Sequence, residues 1–140
     1  MPWWVFAFAS AGAAAVTAIL AKIGVEGVPS NLATAVRTAV VLVFAWGIVI
    51  LRGEHHALAA VRGRPLLFLA LSGMATGLSW LFYYKALKLG EASRVAPIDK
   101  LSVALAVGMA FVFLGEKPTT GNVLGAVLVV AGVLVTALVR

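Results

Sequence analysis

The hydrophobic positions of this chain fall into five long runs, each separated from the next by a short polar or glycine-rich segment. The runs cover residues 3–23, 31–51, 65–87, 92–114 and 121–139. A helix needs about 20 apolar residues to cross the roughly 30 Å hydrocarbon core of a bilayer, and each run is close to that length. The pattern predicts an all-α membrane bundle of five transmembrane helices in a single domain, residues 1–140.

Local signals predict where the helices begin, bend and end. Asn31 is a good N-cap for the second helix, Pro65 suits the first turn of the third, and Pro97 predicts a kink in the fourth. The first run has no basic residues before it and is too long for the apolar region of a signal peptide. It is therefore interpreted as a retained helix.

Composition indicates a membrane protein and argues against other classes. Hydrophobic residues make up 63% and charged residues 11% of the chain, whereas soluble domains carry about 25% charged residues. The net charge of +6 does not indicate nucleic-acid binding, because the basic residues are scattered singly among apolar runs. No cysteine, nucleotide loop, zinc motif or activated nucleophile is present, and His55 and His56 are interpreted as solvated. We therefore expect neither an enzyme nor a cofactor or metal site.

The charges near the helix ends give almost no orientation signal. We name the side of the N-terminus side A and the opposite side B. Basic residues number four on side A and five on side B, and a difference this small sets no clear topology by the positive-inside rule. The side A residues are Arg52, Arg62, Arg64 and Lys117, and the side B residues are Lys22, Lys85, Lys88, Arg94 and Arg140.

Charges inside the runs are costly in a bilayer and are the first candidates for functional residues. All five, Lys22, Arg37, Lys85, Asp99 and Lys100, fall in the half nearer side B. Lys22 and Lys85 either extend to the headgroups or belong to a polar cavity. Arg37 and Asp99, roughly 10 Å inside the boundary, either form a structural ion pair or line a water-filled cavity. Lys100 lies about 100° around the helix from Asp99, so the two are not expected to face one partner.

Most of the embedded charges are cationic, so the predicted cavity favours an anionic or zwitterionic small molecule. The third run adds aromatic and hydroxyl side chains, which either line a substrate path or, for the hydroxyls, bond only to helix carbonyls. The predicted substrate-binding residues are Lys22, Arg37, Trp80, Tyr84, Asp99 and Lys100.

Glycines at helical spacing predict close helix packing. Pairs four residues apart, Gly73 with Gly77 and Gly121 with Gly125, let helix backbones approach closely. The fifth run has no embedded charge, so we expect it to pack either within the chain or against a second copy. Gly121, Gly125 and Gly132 are the candidate dimer-packing positions.

Segments of the C-terminal half carry a family resemblance. They are ASRVAPIDKL at 92–101, FLGEK at 113–117, GNVLG at 121–125 and AGV at 131–133. This pattern resembles the EamA domain of the drug/metabolite transporter superfamily, and the Leu-Gly-Glu turn is its most specific mark. The resemblance extends over the whole chain, since one such domain has about this length and five helices. It implies a secondary transporter or exporter of small metabolites or organic ions, with Glu116 as a structural turn residue.

The resemblance also implies a partner of the same kind. Most members carry two such domains in inverted orientation, whereas this chain has one. Together with the weak orientation signal, this implies an antiparallel homodimer working by alternating access in a bacterial inner membrane, as in the related small multidrug resistance proteins. The membrane glutamate of those relatives has no counterpart in the first run. The alternative is a non-transporting accessory subunit that needs a different partner chain.

Overall fold

The computed structural model describes residues 2–139, which form helices joined by short loops, and these residues contain no strand. Arg140, assigned to side B from the sequence, lies outside the described residues. Five segments are long and apolar enough to cross a membrane when α4 and α5 are taken as one span, as the hydrophobic pattern predicted. The helices are α1 (Trp3–Gly24), α2 (Ser30–Leu51), a 3-10 helix (Glu54–Ala60), α3 (Arg64–Leu89), α4 (Ala92–Asp99), α5 (Leu101–Phe113) and α6 (Thr120–Leu138).

The helix starts follow the sequence signals with one exception. Pro65 lies in the first turn of α3, as predicted. The prediction that Asn31 caps α2 is wrong, because α2 begins at Ser30 and leaves Asn31 inside its first turn. Pro29 stands at the N-cap with φ −58° and ψ 130°, an extended conformation, so the helix starts earlier than expected without a side-chain cap.

The fourth span is broken near Pro97, where a kink was predicted. The segment α4 ends at Asp99 and α5 begins at Leu101, with Lys100 in the turn between them. Proline has no N–H group and cannot donate the hydrogen bond that an α-helix requires. After it, the Lys100 N–H donates to the Pro97 carbonyl over 3.0 Å, only three residues back. The predicted disturbance is thus confirmed, and it interrupts the helix three residues after the proline.

The described residues divide into two compact units. We name them by their place in the sequence. The outer unit comprises residues 2–19 and 89–139, and the central unit comprises residues 20–88. In the outer unit, α6 packs against both α4 and α5. In the central unit, the 3-10 helix packs on α2, and side chains of α2 and of the end of α1 reach α3.

Few side chains are buried within the chain. In the most apolar stretch of each span, at most 11% of the residues are buried. This leaves most of the apolar surface to lipid hydrocarbon or to another protein. Six of the seven buried residues belong to the side B ends of α1 to α3 or to the loop between α1 and α2, so the tightest packing lies there. The buried residues are Ala18, Ala21, Val25, Thr34, Tyr84, Leu87 and Val133.

The glycines predicted to support close packing have open space around them. A Cβ atom added at Gly73, Gly77, Gly121, Gly125 or Gly132 would meet no atom within 4 Å outside its own stretch of helix. These positions therefore do not mark close helix approaches within the chain. Packing of α6 against a second copy stays a prediction.

The Leu-Gly-Glu turn ends α5 through its backbone. Gly115 has φ +68°, a left-handed conformation that glycine adopts without steric cost. The chain reversal brings the Glu116 N–H to the Ala110 carbonyl at 3.3 Å, and that carbonyl also accepts from the Leu114 N–H at 3.0 Å. The Glu116 backbone thus stabilises the helix end, while a structural role of its side chain stays a prediction.

Replacing Gly115 tests this turn. We expect Gly115→Ala to lower the free energy of unfolding by about 1 kcal/mol, because a Cβ atom is disfavoured in the left-handed region. Gly108→Ala is the matched control, since Gly108 lies inside α5 with open space around it and alanine favours a helix there. Thermal unfolding in detergent compares the two variants. Equal effects would contradict the assigned role of Gly115.

Candidate functional site

The central unit places an arginine of α2 against an aromatic face of α3. The Cζ atom of Arg37 lies 3.9 Å from the centroid of the Trp80 ring and 5.7 Å from that of the Tyr84 ring. Trp80 and Tyr84 are four residues apart and share one face of α3. Arg37 and Trp80 are half-buried, and Tyr84 is 4% exposed. We call these three residues the arginine–aromatic site.

The aromatic rings stabilise the guanidinium without neutralising it. A cation over an aromatic face gains about 0.5–2 kcal/mol, and the positive charge remains. The helices α2 and α3 contain no Asp or Glu, so neither helix supplies a carboxylate to compensate this charge. The two carboxylates of the central unit lie outside these helices, and the one on Glu54 pairs with Arg52 at 2.9 Å. The arginine–aromatic site therefore has the charge to attract an anion.

Two lysines tie the side B ends of the central unit together. The Lys22 Nζ atom donates to the Leu87 carbonyl at 2.7 Å, and the Lys88 Nζ atom donates to the Val28 carbonyl at 2.8 Å. The carbonyls in the last turn of a helix lack helical donors, so the Leu87 oxygen is open to such a bond. Leu87 and Val25 are almost completely buried. Lys22 thus connects α1 to α3, and its binding of substrate stays a prediction.

The outer unit holds the remaining two predicted site residues at the break in the fourth span. The Lys100 Nζ atom lies 3.3 Å from the Asp99 Oδ2 atom. The two side chains thus pair with each other, and the expectation that they do not face one common partner stays a prediction. An ion pair between Arg37 and Asp99 stays a prediction.

Several hydroxyl groups of the spans bond to their own helices. The Thr76 hydroxyl donates to the Ser72 carbonyl at 2.9 Å, which is the helix-carbonyl alternative considered for the third span. Thr34 donates in the same way to the Ser30 carbonyl at 2.9 Å and is buried one turn before Arg37. Sequence reasoning missed Thr34 as part of the packed core, although its three-residue spacing from Arg37 indicated the shared helix face.

A separate cavity lies at the side A end of α2, under the 3-10 helix. Its volume is about 280 Å³, and its lining is almost entirely apolar. The adjacent His55 and His56 are exposed, as expected for solvated side chains. The described residues hold no group of three His, Cys, Asp or Glu side chains placed to bind a metal ion. The lining residues are Trp46, Val49, Glu54, His55, Ala57, Leu58 and Val61.

Comparison with known proteins establishes the family. Residues 1–138 match the EamA-like transporter family. A protein of Sinorhizobium sp, described as an uncharacterized transporter in the cobO 3′ region, is 47% identical over 135 residues, which cover 96% of each chain. No solved structure gives a significant match. The chain belongs to the EamA-like transporter family and is an integral membrane protein, as its motifs and apolar runs indicated.

A double-mutant cycle tests the contact between Arg37 and Trp80. We expect Arg37→Met and Trp80→Leu to show a coupling free energy of about 1 kcal/mol or more, because each removes the same cation–aromatic contact. Denaturant unfolding in mild detergent provides the measurement. The cycle Arg64→Met with Phe68→Leu is the control, since that cation–ring distance is 5.6 Å and should give weaker coupling. Additive effects at Arg37 and Trp80 would argue against the site.

Proposed function

We propose that this protein is a secondary transporter of small organic anions or zwitterions, and that Arg37 binds the negative group of the substrate. Membership of the EamA-like transporter family and the transporter-named relative support the class of protein. The charge of the substrate is inferred from one observation, the guanidinium that rests on Trp80 with no carboxylate on α2 or α3.

The argument depends on the cost of a charge inside a membrane span. Ionised side chains in spans are rare and usually pair with one another or face a water-filled pathway. The α-helices of the central unit contain five cations but no acidic residue; the cations are Lys22, Arg37, Arg64, Lys85 and Lys88. A carboxylate or phosphate group supplies the missing charge, and a guanidinium binds either through two parallel hydrogen bonds. An anionic group on the substrate therefore completes the arginine–aromatic site.

We further propose that two copies in opposite orientations form the working transporter. Alternating access commonly uses two inverted repeats around a site near the membrane midplane, and a five-helix chain supplies one repeat. The open space at Gly121 and Gly125 of α6 and the low burial of every span support a second copy as the missing half. The relative in Sinorhizobium sp supports a bacterial inner membrane as the location.

Binding and uptake of a panel of radiolabelled small carboxylates and phosphate esters test the role of Arg37. In proteoliposomes we expect Arg37→Met to reduce affinity or uptake at least about tenfold, since hydrogen bonds to charged groups contribute about 1.5–3 kcal/mol. Arg37→Lys should recover only part of this, because an ammonium lacks the planar set of donors. Arg64→Met is the control and should behave like the wild type. Full activity of Arg37→Met would refute the assignment.

Reporter fusions at the C-terminus test the antiparallel pair. We expect similar populations facing the two sides of the membrane, because the basic residues at the two sides nearly balance. Adding two lysines to the loop between α3 and α4 should shift the chain to one orientation and reduce transport. A single orientation in the unaltered protein would exclude the antiparallel pair. Copurification of a different chain with fixed orientation would instead favour an accessory subunit.

A further inference from the structure

The outer unit contains a helix break inside a membrane span, with several oxygen groups near it in sequence. The helix α4 ends at Asp99 after eight residues, or about 12 Å into the span at 1.5 Å per residue. Pro97 has no N–H group, so the Ser93 carbonyl receives no α-helical hydrogen bond from it. The Asp99 carbonyl accepts from the Ser102 hydroxyl at 2.7 Å. Carboxylate, carbonyl and hydroxyl oxygens thus lie within a few residues of the break.

A helix break inside a membrane span is a favourable position for a cation. In secondary transporters, unwound backbone and the C-terminal ends of half-helices commonly coordinate a coupling Na⁺ or proton, and the negative end of the helix dipole adds to the attraction. In this chain the position beside the Asp99 carboxylate is taken by the ammonium group of Lys100, 3.3 Å from its Oδ2 atom.

The helices around this pair provide almost no other charge. Both α5 and α6 pack against α4, and neither contains an Asp, Glu, Lys, Arg or His residue. On α4 itself the one further ionisable side chain is that of Arg94, five residues before Asp99. Lys100, in the turn between α4 and α5, is therefore the cation that pairs with the Asp99 carboxylate.

We propose that Lys100 is a built-in counter-ion that takes the place of a coupling cation at the break, so that Asp99 binds neither external Na⁺ nor a proton during transport. The inference depends on the proposed function, because coupling concerns a transporter. Since the ammonium belongs to the residue next to Asp99, its effective concentration at the carboxylate is high. Transport is then driven by the substrate gradient or by exchange, without an ion taken up at Asp99.

Removing the ammonium should open the position to an external cation. Lys100→Met leaves Asp99 unpaired in a membrane span, which destabilises the fold, and a cation bound in its place restores stability by mass action. In micelles of the full chain, we expect the unfolding midpoint of Lys100→Met to rise by about 3 °C or more when NaCl replaces choline chloride at equal ionic strength, or at mildly acidic pH. The sodium and acid arms distinguish Na⁺ from a proton. The wild type should respond to neither.

Three matched variants control this experiment. Lys100→Arg keeps a cation and should behave like the wild type. The double variant Asp99→Asn with Lys100→Met removes the carboxylate as well and should lose the response to Na⁺ and acid. If Lys100→Met does not survive purification, Lys100→Gln, which keeps a polar side chain, replaces it in the same measurement.

Two results overturn the inference. One is a variant lacking the Lys100 ammonium whose midpoint is insensitive to both Na⁺ and acid. The other is a wild-type midpoint that rises with Na⁺ or acid and loses this rise in the double variant. Because unfolding is measured without transport, either result leaves the transporter proposal standing. Failure of all organic anions to bind would refute the transporter proposal without changing the unfolding data.

Discussion

The low dielectric of the bilayer core makes an ionised side chain in a span depend on a partner, and three of the embedded charges have one in the described structure. Arg37 rests on aromatic rings, Lys22 on a helix-end carbonyl, and Asp99 on the ammonium of its neighbour. The three contacts differ in whether the charged group can still bind a further ion. A carbonyl contact and an ion pair use the charge locally, whereas a ring contact leaves the guanidinium able to bind an anion.

The contacts of Arg37 and Lys22 lie in the central unit, and the ion pair of Asp99 lies in the outer unit. The central unit concentrates positive charge and the tightest packing of the chain near the side B ends of its helices, which gives the arginine–aromatic site a firm support. The outer unit is nearly free of charge within its spans, and its one embedded pair is internally neutral. The embedded positive charge and the neutral ion pair therefore belong to different units of the chain.

The fold was predictable from the sequence because the membrane imposes a single simple demand, an apolar run of sufficient length. The five spans follow from it, and the disturbance at Pro97 follows from the missing N–H group of proline. The start of α2 did not, since the extended conformation of Pro29 was decided by local geometry and not by the better capping side chain of Asn31. For the site, the sequence identified Arg37, Trp80 and Tyr84 as candidates, but their contact depends on the relative rotation of α2 and α3. The pairing of Asp99 with Lys100 was not predicted.

The two lysine hydrogen bonds of the central unit depend on the side chain at the donor position but not at the acceptor position. Lys22 and Lys88 contribute side-chain ammonium groups, whereas Leu87 and Val28 contribute only main-chain oxygens. A main-chain acceptor is present whatever side chain the position carries. As far as these bonds are concerned, positions 28 and 87 can carry any side chain, whereas positions 22 and 88 need a long side chain that donates a hydrogen bond. The sequence requirement of these two bonds therefore falls on the lysine positions alone.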